Sequence, residues 1–417
     1  MAEAPIINLE PLQAEYDNML RCIRCAACLT TCPTYVVTHK EEEGPRGRIA
    51  IMRAIVEGQL DVTPDAVTHL DNCLLCEACT MVCPAGIEME RMGIAFRDTL
   101  TAGKTSQQPL AARLAFDWLF GDLGHFRMLG RLMWLYQRSG AQWLARNLGI
   151  LKLMGMDESE ALLPRVPGHF VTPKGQTIGE GPTARIFAGC IMSTAFAPTT
   201  EATARVVAAF GSRAEMTAGQ VCCGALQAHS GAVERARELA RQNLDAFGDS
   251  DDPIVVNAAG CGAMLKHYSV LLPEDPRAAR FTRRVKDVSE FLAGRTPVRP
   301  PRELDLNLAI QDPCHLLSAQ RISAQPRELL RAIPGVKTVE IAEREVCCGS
   351  AGVYNVGHPE TAAALQQRKC ANIMATGCDA VVTGNPGCFV QIQAGLPKTI
   401  QVRHIVDVLD EAYSAEA

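Results

Sequence analysis

The chain has no long apolar run, no basic leader and no excess of positive charge. Its 417 residues contain no stretch of about twenty apolar residues, so we expect no membrane-spanning helix. The first twenty residues contain no lysine or arginine, so a secretory signal is not expected. The net charge of -5 gives no sign of the basic face that nucleic-acid binding favours. We therefore expect a cytoplasmic protein that does not bind nucleic acid.

Nucleotide-binding motifs are also missing. The sequence has no G-x-G-x-x-G fingerprint, no Walker loop and no flavin-binding pattern, so we expect no flavin in this chain. A chain of 417 residues is too long for one compact core, and two or three domains are expected. With 47% hydrophobic and 21% charged residues, the composition is typical of a globular protein.

Cysteine, in contrast, is abundant. The chain has 18 cysteines, whereas a reducing cytoplasm does not favour a framework of disulfides. Clustered cysteines in such a compartment indicate metal or redox chemistry. Eight of them form two runs with the spacing C-x2-C-x2-C-x3-C-P, which is the ferredoxin spacing for [4Fe–4S] clusters.

The two runs predict two crossed ligand sets. Three thiolates two residues apart can wrap around one cubane, while the fourth is carried toward the other cluster. One cluster is then held by Cys22, Cys25, Cys28 and Cys83, and the other by Cys73, Cys76, Cys79 and Cys32. A pair of zinc sites is the alternative, and it is disfavoured because zinc usually takes two C-x2-C pairs.

A 40-residue insert separates the two runs. It contains GPRGR followed by IAIMRAIVEGQL, whose apolar spacing predicts a helix. Residues 1–100 therefore resemble the α-helical ferredoxin module of respiratory dehydrogenases. For Arg46 and Arg48, a helix-entry turn with solvated side chains is the favoured interpretation. The alternative places them beside a cluster or a partner acid.

Residues 101–182 are predicted to form a connector of amphipathic helices. They contain all three tryptophans, with arginines at 113, 127, 131, 138 and 146 among apolar residues. Packing on a neighbouring domain or subunit is favoured over contact with a membrane surface or a quinone entrance. The Gly/Pro/Thr-rich residues 172–183 are predicted to be a linker.

A weak repeat begins at residue 183, with halves at 183–300 and 301–417. Each half has a lone cysteine, a Val-Cys-Cys-Gly stretch and a last cysteine. The first interval is 32 residues in one half and 33 in the other, and the second is 38 and 40. The first half contributes Cys190, Cys222, Cys223 and Cys261, and the second contributes Cys314, Cys347, Cys348 and Cys388.

Short β-rich runs alternate with helical stretches in each half, which predicts parallel α/β units. The fold class is therefore multidomain α+β: a ferredoxin module, a helical connector and a duplicated α/β domain. The repeat cysteines follow strands, where open sheets place ligand sites, so each set of four is expected to converge. Glycine beside each pair would let the backbone approach an inorganic group. Cys370 and Cys378 fit no repeat position and are expected to be structural.

The sequence resembles the iron–sulfur subunits of glycolate oxidase, and more widely the CCG-domain proteins. This wider group includes heterodisulfide reductase and the third subunit of anaerobic glycerol-3-phosphate dehydrogenase. The resemblance covers nearly the whole chain and rests on the two cysteine runs, GPRGRI, the CCG pairs and Val-Arg-His404-Ile-Val-Asp. Each CCG repeat of heterodisulfide reductases ends in C-x2-C, and five thiolates hold a non-cubane cluster. Ala258 and Asn385 stand at the first of those positions here, which favours the glycolate oxidase branch over disulfide chemistry.

Four thiolates suffice for a cubane, so either one or two further [4Fe–4S] clusters are expected in the CCG domains. Neighbouring side chains tend to diverge, so one cysteine of each adjacent pair is a candidate for a supporting or structural role. His315 either tunes or binds a cluster, approaches a quinone, or is structural. His404 has the same alternatives, with a structural role favoured.

The expected function is electron transfer, because iron–sulfur clusters move single electrons. Oxidation of a 2-hydroxy acid needs a two-electron acceptor, so the resemblance implies an FAD-containing partner subunit in a hetero-oligomer. This chain would relay electrons toward a quinone-type acceptor, at the inner face of a membrane, without oxidising substrate itself. The alternatives are a heterodisulfide reductase-like or glycerol-3-phosphate dehydrogenase-type subunit and, least favoured, a zinc-stabilised scaffold. No catalytic residue is predicted.

Overall fold

The computed structural model describes residues 8–102, 118–153 and 156–413, with the side chains of residues 158 and 159 excepted. The predicted connector therefore lies partly outside the described residues, which do not include Arg113. The first seven residues of the chain, part of the segment assessed as a leader, also lie outside them.

An all-helical unit precedes the connector. Its helices are Glu10–Gln13, Tyr16–Leu20, Pro33–Thr38, Pro45–Val56, Pro64–Asp71, Ala78–Val82 and Met89–Ala102, with a 3-10 turn at Glu41–Glu43. Several of them begin with proline, whose fixed φ suits the first helical position. The helix predicted in the insert is confirmed as Pro45–Val56. Its side chains Met52 and Ile55 pack with Met92 and Phe96 in the core of this unit.

Between residues 123 and 161 the described part of the connector is mostly helical, as predicted, whereas residues 162–176 contain no helix. Its helices are Leu123–Arg138, Ala141–Asn147, Ile150–Leu153 and Asp157–Ala161. Leu123 and Phe126 are buried against the first α/β half, but Trp143 is 68% exposed and Leu153 is 90% exposed. The expected packing on a neighbouring domain is thus found at the start of this segment and again near its end, where Val171 joins the core of the α/β halves. None of the helices in the described ranges is long and apolar enough to cross a membrane.

Two parallel sheets with matching strand order follow. The strands are β1 (Thr177–Ile178), β2 (Thr183–Phe187), β3 (Arg213–Met216), β4 (Ile254–Val256), β5 (Val285–Asp287), β6 (Leu306–Ile310), β7 (Val336–Glu340), β8 (Ala380–Thr383) and β9 (Gln401–His404). The first sheet has the order β1-β3-β2-β4-β5, and the second has the order β7-β6-β8-β9. All paired strands are parallel except β1, which is antiparallel to β3. The run β3-β2-β4-β5 therefore corresponds to β7-β6-β8-β9, which confirms the duplicated α/β architecture.

Helices connect the strands in both halves. The first half contains Ala197–Ala209, Ala225–His229, Val233–Phe247, Ala259–Lys266, Tyr268–Leu271, Pro276–Arg284 and Val288–Leu292. The second contains a π-helical turn at His315–Ala319 and the helices Ala324–Arg331, Tyr354–Gly357, Pro359–Met374, Pro386–Gly395 and Ile405–Tyr413. Every helix predicted from apolar spacing in the repeat is present.

The stretch 172–183, predicted to be only a linker, contains the edge strand β1. Thr177 pairs with Glu215 and Ile178 with Ala214 at the edge of the first sheet. Gly179 and Gly181 have φ of +83° and +101°, values that glycine adopts readily, and they carry the chain on toward β2. An unpaired edge offers backbone hydrogen bonds to any neighbouring extended segment, which explains the difference.

The two halves share one hydrophobic core. Ile186 of β2, Leu308 of β6 and Val382 of β8 belong to the same buried cluster, together with side chains of Ala197–Ala209 and Ile405–Tyr413. Because one core joins both sheets, their carboxyl ends are held in a fixed relation to each other. Those carboxyl ends are where the repeat cysteines lie.

Candidate metal centres

The two ferredoxin-type loops have the same unusual backbone. Arg24 and Ala26 have positive φ in the first loop, and Leu75 and Glu77 have positive φ at the matching positions of the second. Non-glycine residues adopt this conformation rarely, and such strain is concentrated at functional sites. In both loops it curls three cysteines around one point.

Two cavities lie inside these loops. The cysteines that line each cavity correspond to one of the two crossed ligand sets predicted from the sequence. The first cavity is lined by Cys22, Cys25, Cys28 and Cys83, with Cys79 at its edge. The second is lined by Cys32, Cys73, Cys76 and Cys79. The fourth cysteine of each run has thus moved to the cavity of the other run, as the C-P endings predicted.

Three thiols of these cavities have raised pKa values because they are buried. Burial raises the pKa of Cys28 to about 11 and raises the pKa values of Cys76 and Cys79 well above their ordinary range. Converging buried thiols remain neutral unless a cation compensates their negative charge. A cationic iron core provides that compensation and displaces the protons.

The two arginines of the GPRGR turn differ in environment. Arg46 is partly exposed, pairs with Glu41 and lines the first cavity. Arg48 lines the second cavity, has a side chain only 1% exposed, and donates to Glu43 Oε2 at 2.9 Å. The favoured interpretation of solvated arginines is therefore wrong for Arg48. The acid two residues before the helix was the available signal, because a buried guanidinium needs a buried carboxylate.

The repeat cysteines lie at the carboxyl ends of matching strands. Cys190 follows β2 and Cys314 follows β6, the CCG pairs follow β3 and β7, and the last cysteines begin the helices after β4 and β8. In the first sheet β2 lies between β3 and β4, and in the second β6 lies between β7 and β8. The three cysteine segments of each half therefore meet at the topological switch point of their sheet.

The four sulfurs of each half form a continuous chain of contacts. Cys190 Sγ lies 3.8 Å from Cys222 Sγ, and Cys223 hydrogen-bonds Cys261. In the second half Cys314 Sγ lies 3.9 Å from Cys347 Sγ, and Cys348 hydrogen-bonds Cys388. Both thiols of each adjacent pair thus contact another cysteine of the same half. All eighteen cysteines are free.

In each adjacent pair of cysteines, the first thiol has a lower pKa than the second. A hydrogen bond from Cys190 lowers the pKa of Cys222 well below its ordinary value, and one from Cys314 does the same for Cys347. The two halves therefore match in electrostatics as well as in topology.

The glycine after each pair lies close to the second of the two helices that follow it. Gly224 and Gly349 have φ of +82° and +88°. A Cβ at these positions would lie 3.3 Å from Ala236 O and 2.6 Å from Ala362 O, respectively. This close approach to helix backbone is thus one reason for glycine at both positions.

The positions of the absent fifth thiolates are filled in different ways. Ala258 is buried at the start of the helix Ala259–Lys266. Asn385 occupies the same place before Pro386–Gly395, and its Nδ2 donates to Cys388 Sγ at 3.5 Å. Its Oδ1 accepts from Gly260 N at 3.2 Å, so this one side chain joins the two halves.

The second ferredoxin cavity lies between the two repeat sites. Cys76 belongs to one buried cluster with Cys347, Cys348 and Cys388. Cys73 packs at the edge of the cluster that contains Cys190, Cys222 and Cys223. Because Cys79 also touches the first cavity, the four cysteine groups are contiguous.

His315 joins two residues that sequence reasoning missed, Glu90 and His229. His229 Nε2 lies 2.8 Å from Glu90 Oε1, and His315 Nε2 lies 4.0 Å from the same oxygen. Neither Glu90 nor His229 stands in a cysteine motif, so only the packing of three segments reveals them. Burial, together with the neighbouring Glu90 carboxylate, raises the pKa of Glu77 to about 9.

His404 and the two remaining cysteines occupy structural positions. His404 is fully buried, with Nε2 at 2.9 Å from Asn257 O and Nδ1 accepting from Val406 N at 3.2 Å. It therefore ties β9 to the first half. Cys370 and Cys378 are buried and contact the carbonyls of Ile392 and Ile373, respectively.

A cleft of about 130 Å³ lies where the helical unit meets both halves. Leu74, Leu226 and Val353 are among its apolar lining residues, and Cys73 reaches its wall. Tyr354 and His358 also line it, with their rings stacked 4.5 Å apart.

Family models match the three parts of the chain. The 4Fe-4S dicluster domain matches residues 18–87, and the cysteine-rich CCG domain matches residues 184–266 and 308–393. The linker region of the glycolate oxidase iron-sulfur subunit matches residues 107–163. Together with the four cysteine groups, these matches define an iron–sulfur protein with a dicluster domain followed by two CCG domains.

Curated relatives narrow this class. The probable glycolate oxidase iron-sulfur subunit of Bacillus subtilis is 36% identical over 95% of this chain and 94% of its own length. The chain belongs to the family of glycolate oxidase iron–sulfur subunits. The Escherichia coli subunit is 28% identical over 96% of both chains. One subunit of the fumarate reductase (CoM/CoB) of Methanothermobacter marburgensis is 28% identical over 98% of this chain and 76% of its own length.

The cofactor content follows from the family and the site. A dicluster domain and two CCG domains with converging cysteines give the chain multiple [4Fe–4S] clusters. The chain is an iron–sulfur electron-transfer subunit of an oxidoreductase complex, as its relatives are.

Proposed function

We propose that the chain relays electrons from an FAD-containing subunit, which oxidises glycolate or a related 2-hydroxy acid, toward a quinone-type acceptor. The observation that carries this proposal is the contiguity of the four cysteine groups within one chain. Iron–sulfur clusters exchange single electrons, so a flavin is needed to take two electrons from the substrate.

The ligand sets follow the four groups of sulfurs. Cys22, Cys25, Cys28 and Cys83 would hold the first cluster, and Cys73, Cys76, Cys79 and Cys32 the second. Cys190, Cys222, Cys223 and Cys261 would hold a third, and Cys314, Cys347, Cys348 and Cys388 a fourth. Two CCG-bound clusters are favoured over one because each half brings four sulfurs together.

The surface around the first cavity supports it as the point of electron entry. Cys25 is exposed and the neighbouring Ile23 is 68% exposed, whereas Cys76 and Cys347 are buried. A cluster near the surface can exchange electrons with a partner subunit, and a buried cluster can pass them onward. Electrons would then move from the first cavity to the second and on to the CCG domains.

The cleft beside Cys73 is the best candidate for the acceptor site. Its apolar wall suits a quinone ring and tail, and Tyr354 and His358 offer hydrogen-bonding groups for the quinone oxygens. The acceptor would thus sit next to the second cluster.

The connector is proposed to rest on an anionic membrane surface. Residues 123–153 contain five basic residues, at 127, 131, 138, 146 and 152, and no aspartate or glutamate. Met128, Leu132 and Leu135 are exposed on one face of the helix Leu123–Arg138. This exposed apolar stripe lies among basic residues, of which Arg146 pairs with Glu160, and it fits anionic lipid. A contact with an acidic subunit is the competing occupant.

Anaerobic purification of the tagged chain from the cells that produce it tests the proposed function. We expect a flavin-containing subunit to co-purify and the complex to reduce an electron-accepting dye when glycolate is added. Stoichiometric reduction of a disulfide substrate by the chain alone, without flavin, would instead support the heterodisulfide reductase-like alternative. Colourless protein that contains zinc in place of iron would support the scaffold.

A further inference from the structure

Three potential ligands from three different parts of the chain meet at the junction below the cleft. Glu90 belongs to the helical unit, His229 follows the first CCG pair, and His315 follows Cys314 of the second half. One ligand atom from each lies within 4.8 Å of the other two. The two imidazole rings are nearly parallel, with centroids 5.7 Å apart.

His315 is oriented as a metal ligand would be. Its Nδ1 lies 3.6 Å from Cys314 Sγ, so a proton on Nδ1 can be donated to that sulfur. Its Nε2 is buried and has no hydrogen-bond partner among the described residues. Buried ring nitrogens are rarely left unsatisfied, and this one points toward the Glu90 carboxylate.

The spacing of the three atoms suits a small divalent ion. Zinc binds imidazole and carboxylate at about 2.0–2.2 Å, so two ligand atoms on a tetrahedral ion lie about 3.3 Å apart. The distances of 2.8 Å and 4.0 Å from Glu90 Oε1 to the two histidine nitrogens bracket that value. Small side-chain adjustments would therefore place all three atoms on one ion.

Supporting contacts surround the set. Glu77 hydrogen-bonds Glu90, and Cys314 accepts from His315 in the arrangement above. Metal-binding carboxylates and histidines are typically held by such outer contacts, which fix their orientation.

We propose that Glu90, His229 and His315 bind one divalent transition-metal ion, zinc(II) or iron(II), at the junction of the helical unit and the two CCG halves. Two imidazoles and one carboxylate form a donor set that both ions accept, with coordination positions left open. The ion would take the place of the hydrogen bond between His229 Nε2 and Glu90 Oε1. This site is separate from the sixteen cysteines and does not depend on the proposed electron path.

Zinc binding to the anaerobically purified holoprotein tests the site. The protein is dialysed against zinc(II), and zinc and iron are counted by elemental analysis. We expect one zinc per chain with the iron content unchanged. X-ray absorption at the zinc edge should show nitrogen and oxygen neighbours without sulfur.

Matched variants separate this site from a cysteine site. Glu90→Gln and His229→Gln should each lower the zinc affinity at least tenfold while iron content and circular dichroism are retained. His169→Gln, which alters an exposed His–Glu pair elsewhere, should leave zinc binding unchanged. Absence of bound zinc in protein with full iron content, unaltered binding in both variants, or zinc bound through sulfur would overturn the proposal.

Discussion

Asn385 sets the chemistry available at the second CCG site. Heterodisulfide reductases have a fifth thiolate at this position. Here the side-chain amide of Asn385 occupies it and donates a hydrogen bond to Cys388 Sγ. A hydrogen bond to a cluster sulfur stabilises the reduced, more negative state and raises the potential. An electron-accepting role is therefore supported at this site more than bond-breaking chemistry.

Asn385→Asp should lower the midpoint potential of one cluster. The carboxylate keeps the acceptor for Gly260 N but removes the donor to Cys388 and adds negative charge. A hydrogen bond to a charged group is worth on the order of 1.5–3 kcal/mol, so a shift of about 60 mV or more is expected. Redox titration followed by EPR measures it, with Asn147→Asp on the exposed connector as the control. An unchanged potential would contradict the described contact.

Cys223→Ser and Cys348→Ser should each remove about four irons per chain, because one ligand of a different cubane is lost in each. Cys370→Ser is the matched control: this thiol is also buried but contacts only Ile392 O among the described hydrogen bonds. Iron and labile sulfide analysis gives the result. If either CCG variant keeps the full iron content, that half does not hold a cluster through the mutated thiol.

Arg48→Leu should lower the free energy of unfolding by about 3–5 kcal/mol, since it leaves the carboxylate of Glu43 buried without its main ion partner. Arg46→Leu should cost less than about 1 kcal/mol, because the pair with Glu41 is partly exposed. Anaerobic denaturant unfolding followed by circular dichroism compares the two. Equal losses would show that burial of the Arg48 pair does not matter.

At the level of elements, the sequence was most informative where spacing repeats. The helix after GPRGR and the two matching sheets could be predicted, because both depend on local periodicity. The crossed cysteine sets stay a prediction that depends on ligand spacing. The burial of Arg48 and the strand β1 could not be predicted. Both depend on partners distant in the chain or on a sheet edge that exists only after folding.

The connector yields an element-scale prediction. Arg131 and Arg138 are exposed on the helix Leu123–Arg138, and each basic residue near an anionic membrane contributes about 1 kcal/mol of binding. Arg131→Gln combined with Arg138→Gln should therefore weaken binding to phosphatidylglycerol-containing vesicles about thirtyfold. Sedimentation with vesicles measures the change.

The control for this experiment is Arg283→Gln combined with Arg299→Gln, which removes the same charge from exposed positions outside the connector. That variant should bind vesicles like the parent chain. If the parent binds neutral and anionic vesicles equally, or binds neither, the connector does not recognise anionic lipid. The exposed stripe would then be a subunit contact.

At the scale of the whole molecule, the helical unit is fastened to the α/β halves beside the second cysteine cavity. Arg97 donates to the carbonyls of Cys73 and His229, both at 2.7 Å, and Tyr354 donates to Asn72. These contacts join the loop of the second cavity to both CCG halves. The contacts of Arg97 with His229 and of Tyr354 with Asn72 could not be read from the sequence, since their partners lie more than a hundred residues apart.

The central claim is that electrons from a 2-hydroxy acid pass through the clusters of this chain. Rapid mixing of the oxidised complex with glycolate, followed by freeze-quench EPR, tests it most directly. The account predicts reduced [4Fe–4S] signals from this chain that appear after flavin reduction and before the acceptor is reduced. Flavin reduction and acceptor reduction at full rate while every cluster of the chain stays oxidised would contradict it.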